Sequence, residues 1–273
     1  MNSWNNIYET FDPIAFNIFS LPVHWYGIMY VLALLSALYV GKYFMKKDKL
    51  NFSSSQIDIY FIYVEIGVIL GARLGYILFY DSNTMYYLMA PWQIFNPFVD
   101  GEFVGIRGMS YHGAVIGFVI GTYLYSKRHK VAFGMIMDLV ALAIPLGFVF
   151  GRIGNFLNQE LVGRQTDVSW GILVDGMLRH PSQLYEALLE GFVVFLVVYM
   201  YKSYKKFSGE LILIYAMSYG VLRAIAEIYR APDVQIGYVC CGSVTQGQVM
   251  SLGMSVLALV IWIYYYTKSK KLA

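Results

Sequence analysis

Charge is scarce in this sequence. Only 14% of its 273 residues are Asp, Glu, Lys or Arg, where a soluble domain carries roughly 25%. So few charges cannot cover a surface in water. Cysteine is scarcer still: two residues exclude a disulfide scaffold and a multi-thiolate metal site. The four histidines fit no HExxH spacing, which argues against metal catalysis. A net charge of only +3 excludes a nucleic-acid binder. No serine sits in a GxSxG setting, which weakens a serine-hydrolase reading. The tract from Tyr8 to Leu21 has no Lys or Arg before its apolar core, so no signal peptide is expected.

Apolar residues dominate instead, at 58% of the chain, with 18% aromatics and a mean hydropathy of +0.55. The expected solvent is therefore a lipid bilayer. A spanning helix needs about 20 mostly apolar residues. Segments near 22–44, 57–80, 111–127, 134–155, 182–201, 209–229 and 246–267 meet that need. The predicted fold is an all-α polytopic membrane protein of about seven transmembrane helices, organised as a single transmembrane domain. Lys42, Lys46, Lys47 and Lys49 follow the first span. Lys127, Arg128 and Lys130 follow the third, Lys202, Lys205 and Lys206 the fifth, and Lys268, Lys270 and Lys271 the seventh. The other side carries Arg107, Arg164, Arg179 and Arg230. The positive-inside rule then places the N-terminus outside and the C-terminus in the cytoplasm. Two outer connections, 81–110 and 156–181, are long, and long loops tend to carry function. Spans 1–2 and 3–4 also read as a repeated hairpin, with His24 and His112 opening spans 1 and 3, and Arg73 and Arg152 in similar settings.

Three arginines fall inside spans, where a charged residue costs about 2.5–3.5 kcal/mol on insertion scales. At 1.5 Å per residue, Arg73, Arg152 and Arg223 rise about 24, 27 and 21 Å from the cytoplasmic ends of their helices. Three cations at one outer depth suggest a layer that binds an anion such as a lipid phosphate, which arginine grips with two nitrogens. Tyr219, Arg223, Glu227 and Arg230 share one stripe of the sixth span. That stripe reads either as part of the anion site or as an ion-pair ladder that neutralises buried charge. Arg152 and Asn155 share a helix face in the run from Gly151 to Gly163, where Asn158 and Glu160 add polar groups. His112 is the favoured general-base candidate, because imidazole titrates near neutrality. Glu186 and Glu190 form an acidic i,i+4 pair that could counter an arginine, and Cys240 and Cys241 read as ordinary thiols.

The runs GRIGNFLNQELVGR at 151–164, LPVHWYGIMY at 21–30, GARLGYILFY at 71–80, GMSYHGAVIG at 108–117, HPSQLYEALLEG at 180–191 and SYGVLRAIAEIYRAPD at 218–233 occur in this order. Together they resemble the bacterial prolipoprotein diacylglyceryl transferase family. The resemblance implies seven transmembrane helices with extracytoplasmic arm and head loops. It implies transfer of the diacylglyceryl group of phosphatidylglycerol to the lipobox cysteine thiol of a prolipoprotein signal peptide, with release of glycerol phosphate. It further implies a bacterial inner membrane location, an active site toward the outer leaflet, and no cofactor or metal. By resemblance Arg152 binds phosphatidylglycerol, and Tyr26, His112, Asn155, Glu160, Gly163, Tyr219, Arg223, Glu227 and Arg230 occupy functional positions. Arg152 and Arg223 are expected on the leaving phosphate, Glu227 behind Arg223, and Arg73 in the lipid-binding layer. The base is His112 or, as runner-up, Glu160. Two departures stand out: a short head loop between Gly163 and His180, and Arg107, an extra charge before His112. The rival reading is a transporter or flippase for an anionic lipid, with the arginines as its pathway.

Overall fold

The computed structural model describes residues 3–19, 21–50, 52–99, 101–103, 105, 108–232, 237–240 and 243–270. Arg107 and Cys241 lie outside them, and Cys240 is described in its backbone only. The fold is mostly helical: α1 Trp25–Lys47, α2 Ser54–Phe79, α3 Thr84–Met89, α4 Tyr111–His129, α5 Phe133–Leu157, α6 Ser182–Tyr204, α7 Glu210–Ala226 and α8 Gln246–Lys270. α1, α2, α5, α6 and α8 are long and apolar enough to cross a membrane, which suits a multi-pass membrane protein. α4 and α7 are helical where the sequence places the third and sixth spans. Antiparallel two-stranded hairpins join strands β1 Ile14–Ile18 and β2 Leu21–His24, β3 Phe98–Val99 and β4 Glu102–Phe103, β5 Ile172–Val174 and β6 Met177–Arg179, and β7 Tyr238–Cys240 and β8 Val244–Thr245.

Helix ends follow local chemistry. Ser53 and Gln56 form a reciprocal capping box at the start of α2. Ser110 accepts the Gly113 N–H at the start of α4. Lysines and arginines crowd the last turns of α1 and α4, where they meet unpaired carbonyls. The turn before α7 is fixed by two acids. Asp138 accepts the N–H groups of Gly209 (2.9 Å) and Leu211 (2.8 Å) and pairs with Lys205 (3.1 Å). The fully buried Glu210 accepts from Tyr201 (2.7 Å) and Trp262 (2.9 Å).

The chain divides into two compact units, one of Met1–Asp48 with Met137–Ala273 and one of Lys49–Ile136. This division splits each of the two hairpins expected as a repeat: α2 and α4 fall in one unit, α1 and most of α5 in the other. In the second unit α2 and α4 run antiparallel along glycines. A Cβ on Gly71 would meet Gly117 Cα at 2.8 Å, and one on Gly75 would meet Gly113 Cα at 2.7 Å. One on Gly117 would meet Gly71 Cα at 3.1 Å. With no side chains between them, the two backbones touch, which is how helices associate where lipid offers no hydrophobic drive. Arg73 is buried and donates to the carbonyls of Ile94 (2.5 Å) and Gly108 (3.1 Å), with Tyr87 against its face. It fastens the 81–110 connection to α2.

In the first unit, α1 and α5 meet where Gly147 faces Ala33 and Gly154 faces Tyr26 and Met29. The 156–181 connection and the N-terminal segment pack Tyr8, Phe156 and Ile172 into a core flanked by Trp4, Phe11 and Val162. The Asn5 amide donates to the carbonyls of Ser169 and Gly171. Burial raises the Tyr8 phenol well above its ordinary range, so it remains a neutral donor and acceptor.

The glycine seam generates a test. Gly117→Leu is expected to wedge α2 from α4 and to destabilise by at least about 1–3 kcal/mol, the usual cost of overpacking. Gly253→Ala, with no atom within 4 Å of its added methyl, should be neutral or slightly stabilising. Thermal unfolding in detergent, followed by circular dichroism, compares them. Equal midpoints would show that the close approach is dispensable.

Candidate active site

The first unit gathers a cluster of opposed charges from α5, α6 and α7. Arg152, in the last turns of α5, pairs through Nε with Glu186 Oε2 at 2.8 Å. Its Nη2 lies 3.8 Å from Glu190 Oε2. Arg223 of α7 places Nη1 3.1 Å from both Glu186 Oε1 and Glu190 Oε1, and Nη2 2.6 Å from Glu227 Oε2. Arg230 brings Nη1 to 3.7 Å from Glu186 Oε1. Glu186 and Glu190 have no exposed side-chain surface, whereas the side chains of the three arginines keep 12–14% of theirs. The arginines are thus the more accessible members of the cluster. Three arginines meet three glutamates, so the formal charges of the cluster balance. Buried ions need that balance, because an unpaired one carries several kcal/mol of desolvation cost.

The backbone of α6 is built for the contact. It takes a π turn over Ala187–Val193, which carries Glu190. Gly191 in that turn lies against α5, where an added Cβ would stand 3.1 Å from the Pro145 carbonyl oxygen. π turns widen a helix locally and recur at functional sites. Pro145 has no N–H to complete the α5 ladder at this level.

A polar relay extends from Arg152. Its Nη1 donates to Asn155 Oδ1 (3.3 Å), and Asn155 Nδ2 donates to Glu160 Oε1 (2.8 Å). Glu160 can turn back toward α5 because Gln159 and Leu161 on either side hold left-handed backbones, with φ of 57° and 56°. Such a conformation is uncommon for non-glycine residues and clusters at functional sites. The Gln159 side chain donates to the Tyr8 and Phe11 carbonyls, and buried Gln183 donates to the Glu160 carbonyl and the Tyr8 hydroxyl. Phe148 lies under the Arg152 guanidinium at 4.7 Å, and Tyr219 meets Phe148 edge-on at 5.7 Å. Thr245 donates to Glu227 Oε1 at 3.1 Å.

Gly163 closes the motif. It pairs with Arg230 across a short bridge and donates to the His180 carbonyl. A Cβ there would stand 2.7 Å from both His180 Cβ and the Tyr229 carbonyl oxygen, so no side chain fits. Arg164 follows, donating to the Arg230 carbonyl at 2.8 Å. His180 lies 3.2 Å from the Tyr185 hydroxyl, which also accepts from Trp170. Burial pulls the His180 imidazole below its ordinary value, and Asp167 partly offsets this.

The predicted site residues thus divide. Arg152, Asn155, Glu160, Arg223, Glu227 and Arg230 are brought together, with Tyr219 joined through Phe148, Tyr26 against Gly154 and Gly163 beside Arg230. His112 and Arg73 belong to the second unit. There His112, in the first turn of α4, has Nδ1 3.5 Å from the Tyr80 hydroxyl. Sequence reasoning undervalued Glu186 and Glu190, which join all three arginines. The signal was present as two acids four residues apart in an otherwise apolar helix. Thr245 and Phe148 carried no comparable signal.

The family model described as prolipoprotein diacylglyceryl transferase matches residues 13–264. Among relatives named phosphatidylglycerol--prolipoprotein diacylglyceryl transferase, that of Campylobacter jejuni subsp. jejuni is 61% identical over 263 residues, covering 96% of this chain and 97% of its own. The Campylobacter lari relative is 58% identical over 272 residues, with 100% of both chains covered. That of Wolinella succinogenes is 60% identical over 267 residues and 98% of each chain. Both the matched span and these identities establish that the chain belongs to the prolipoprotein diacylglyceryl transferase family.

Proposed function

We propose that this protein transfers the diacylglyceryl group of phosphatidylglycerol to the thiol of a lipobox cysteine in a prolipoprotein signal peptide, releasing glycerol phosphate. The carrying observation is the cluster of Arg152, Arg223 and Arg230 over buried carboxylates in a chain of this family. Transport of an anionic lipid is set aside, since the relatives above are named as transferases. In this reading the chain crosses the bacterial inner membrane seven times, with its N-terminus outside and its C-terminus in the cytoplasm. The loops 81–110 and 156–181 form the arm and head, and the site faces the outer leaflet.

The chemistry follows from the substrates. The cysteine sulfur forms a bond to the glyceryl carbon, the carbon–oxygen bond to phosphate breaks, and the thiol proton goes to a base. The nucleophile arrives with the peptide, so the enzyme supplies no cysteine. A free thiol has a pKa of about 8.5, so a base that removes its proton accelerates attack. His112 is the proposed base, with Glu160 as runner-up. Negative charge grows on the departing phosphate, and fixed guanidiniums there lower the barrier without reorganising. Arg152 and Arg223 take that role. Glu227 aims the Arg223 fork, and Asn155 and Glu160 brace Arg152. Tyr26, Gly163, Tyr219, Arg230 and Arg73 complete the proposed binding surface for phosphatidylglycerol.

Two measurements test these assignments. His112→Gln should lower kcat by about 10²–10⁴-fold while phosphatidylglycerol binding stays nearly intact. Near-normal turnover would transfer the role to Glu160.

The second concerns the arginine fork. Arg152→Lys and Arg223→Lys keep the cation and should fold, yet each should lose at least about 10²-fold in transfer rate, roughly 2.7 kcal/mol. One ammonium cannot meet the partners that a planar fork meets. The double variant should lose less than the product of the singles, because both groups act on one phosphate. Transfer rate and thermal midpoint are read on the same samples. A stable, fully active Arg223→Lys would reduce Arg223 to a member of an ion-pair ladder.

A further inference from the structure

The charge balance raises a question about product. Phosphatidylglycerol presents a phosphodiester with one negative charge. The released glycerol phosphate is a monoester, with about −1.5 to −2 near pH 7. A site built only of arginines would hold the product more tightly than the substrate. Tight product binding makes release limiting.

Three observations bear on how this site avoids that trap. Glu186 and Glu190 have no exposed side-chain surface, while the Arg152 and Arg223 side chains keep 14% and 12% of theirs, so an arriving anion reaches the arginines before the acids. Each acid is shared: Glu186 contacts Arg152, Arg223 and Arg230, and Glu190 contacts Arg152 and Arg223. Finally, neither Glu186 oxygen, nor Glu190 Oε2, receives a well-directed hydrogen bond from the described protein groups. Glu190 Oε1 accepts one directed bond, from Arg223 Nη1 at 3.1 Å; the rest of the two acids' hold on the arginines is Coulombic, so a phosphate that takes a guanidinium breaks few directed bonds. Glu227 has an anchor outside the arginines, since its Oε1 accepts from Thr245.

We propose that Glu186 and Glu190 are positioning residues that act as competing anions. They keep Arg152 and Arg223 aimed at the phosphate position, and they reclaim the guanidiniums as glycerol phosphate departs. This rests on the transfer reading above, with glycerol phosphate as product. Removing one of these charges leaves the arginines with a net positive charge, which strengthens binding of the dianion more than of the monoanion.

The test uses Glu190→Gln and Glu186→Gln in the full chain purified in detergent. Each keeps shape and removes one charge. Glycerol phosphate binding is followed by calorimetry, its inhibition of transfer by steady-state kinetics with phosphatidylglycerol and a lipobox peptide, and integrity by thermal midpoint. Glycerol phosphate should bind at least about 10-fold more tightly to the Gln variants, and kcat should fall together with KM for phosphatidylglycerol. A burst in the first turnover should emerge as release becomes slow. Glu190→Asp, which restores the charge, should return glycerol phosphate binding toward wild type. A purely structural role predicts a lower midpoint and lower kcat with no tighter binding. Unchanged or weaker glycerol phosphate binding in a folded Gln variant overturns the proposal, and either variant that folds suffices. If the wild type transfers no diacylglyceryl group while the Gln variants still bind glycerol phosphate more tightly, the transfer reading fails and the competing-anion reading stands.

Discussion

Glu186 and Glu190 are the constraint on which the first unit depends. Two carboxylates with no exposed surface on an apolar helix cannot stay ionised alone. They require cations within ion-pair distance, and α5 and α7 supply them at Arg152 and Arg223. That requirement fixes which faces of three helices meet. It also accounts for the local geometry of α6, where a π turn carries Glu190 and the adjacent Gly191 admits the α5 backbone. Removing a single partner from a buried pair costs about 3–5 kcal/mol, because the other ion is left behind. The cluster is therefore structural. The ion-pair ladder of this cluster and the anion site proposed above draw on the same six side chains.

The two units solve the membrane problem by different means. In Lys49–Ile136 the principal helix contact is backbone against backbone, with Gly67, Gly71 and Gly75 on α2 facing Gly113, Gly117 and Gly121 on α4. Its buried charge, Arg73, is absorbed by loop carbonyls. In the other unit the helices are joined by ion pairs and by polar anchors such as Asp138 and Glu210. Glycine contact leaves few functional groups at the seam, among them the buried Tyr60–Thr122 hydroxyl pair at 3.1 Å. Charge contact leaves many, and most of the predicted site residues are in that unit.

Sequence alone made much of this legible, for identifiable reasons. Long apolar runs gave the helices, because few charges interrupt them. The stripe from Tyr219 to Arg230 and the pairing of Arg152 with Asn155 were readable, because neighbours on one helix face obey a fixed period. Partners on different helices obey no such period. Glu186 was seen as a counter-ion without a named arginine, and Thr245 behind Glu227 was not seen at all. The apparent repeat of spans 1–2 and 3–4 came from matching local settings around Arg73 and Arg152. In the structure one arginine holds backbone carbonyls and the other holds carboxylates. Glycines spaced by four on α2 and α4 were present in the sequence, yet their meaning depends on which helices meet.

The run from Gly151 to Gly163 shows why one motif holds so many of these residues. It ends α5, turns the chain and returns it to the same place. Arg152 and Asn155 lie on the helix. Left-handed Gln159 and Leu161 reverse the chain so that Glu160 reaches Asn155. Gly163 then slips between His180 and Tyr229 and bridges to Arg230. The loop thus touches the charge cluster at both ends, through Arg152 and beside Arg230. Its outer side packs on the N-terminal segment through Tyr8, Phe156 and Gln159. A displacement of this loop must therefore pull on Glu160, and through Asn155 on the fork of Arg152.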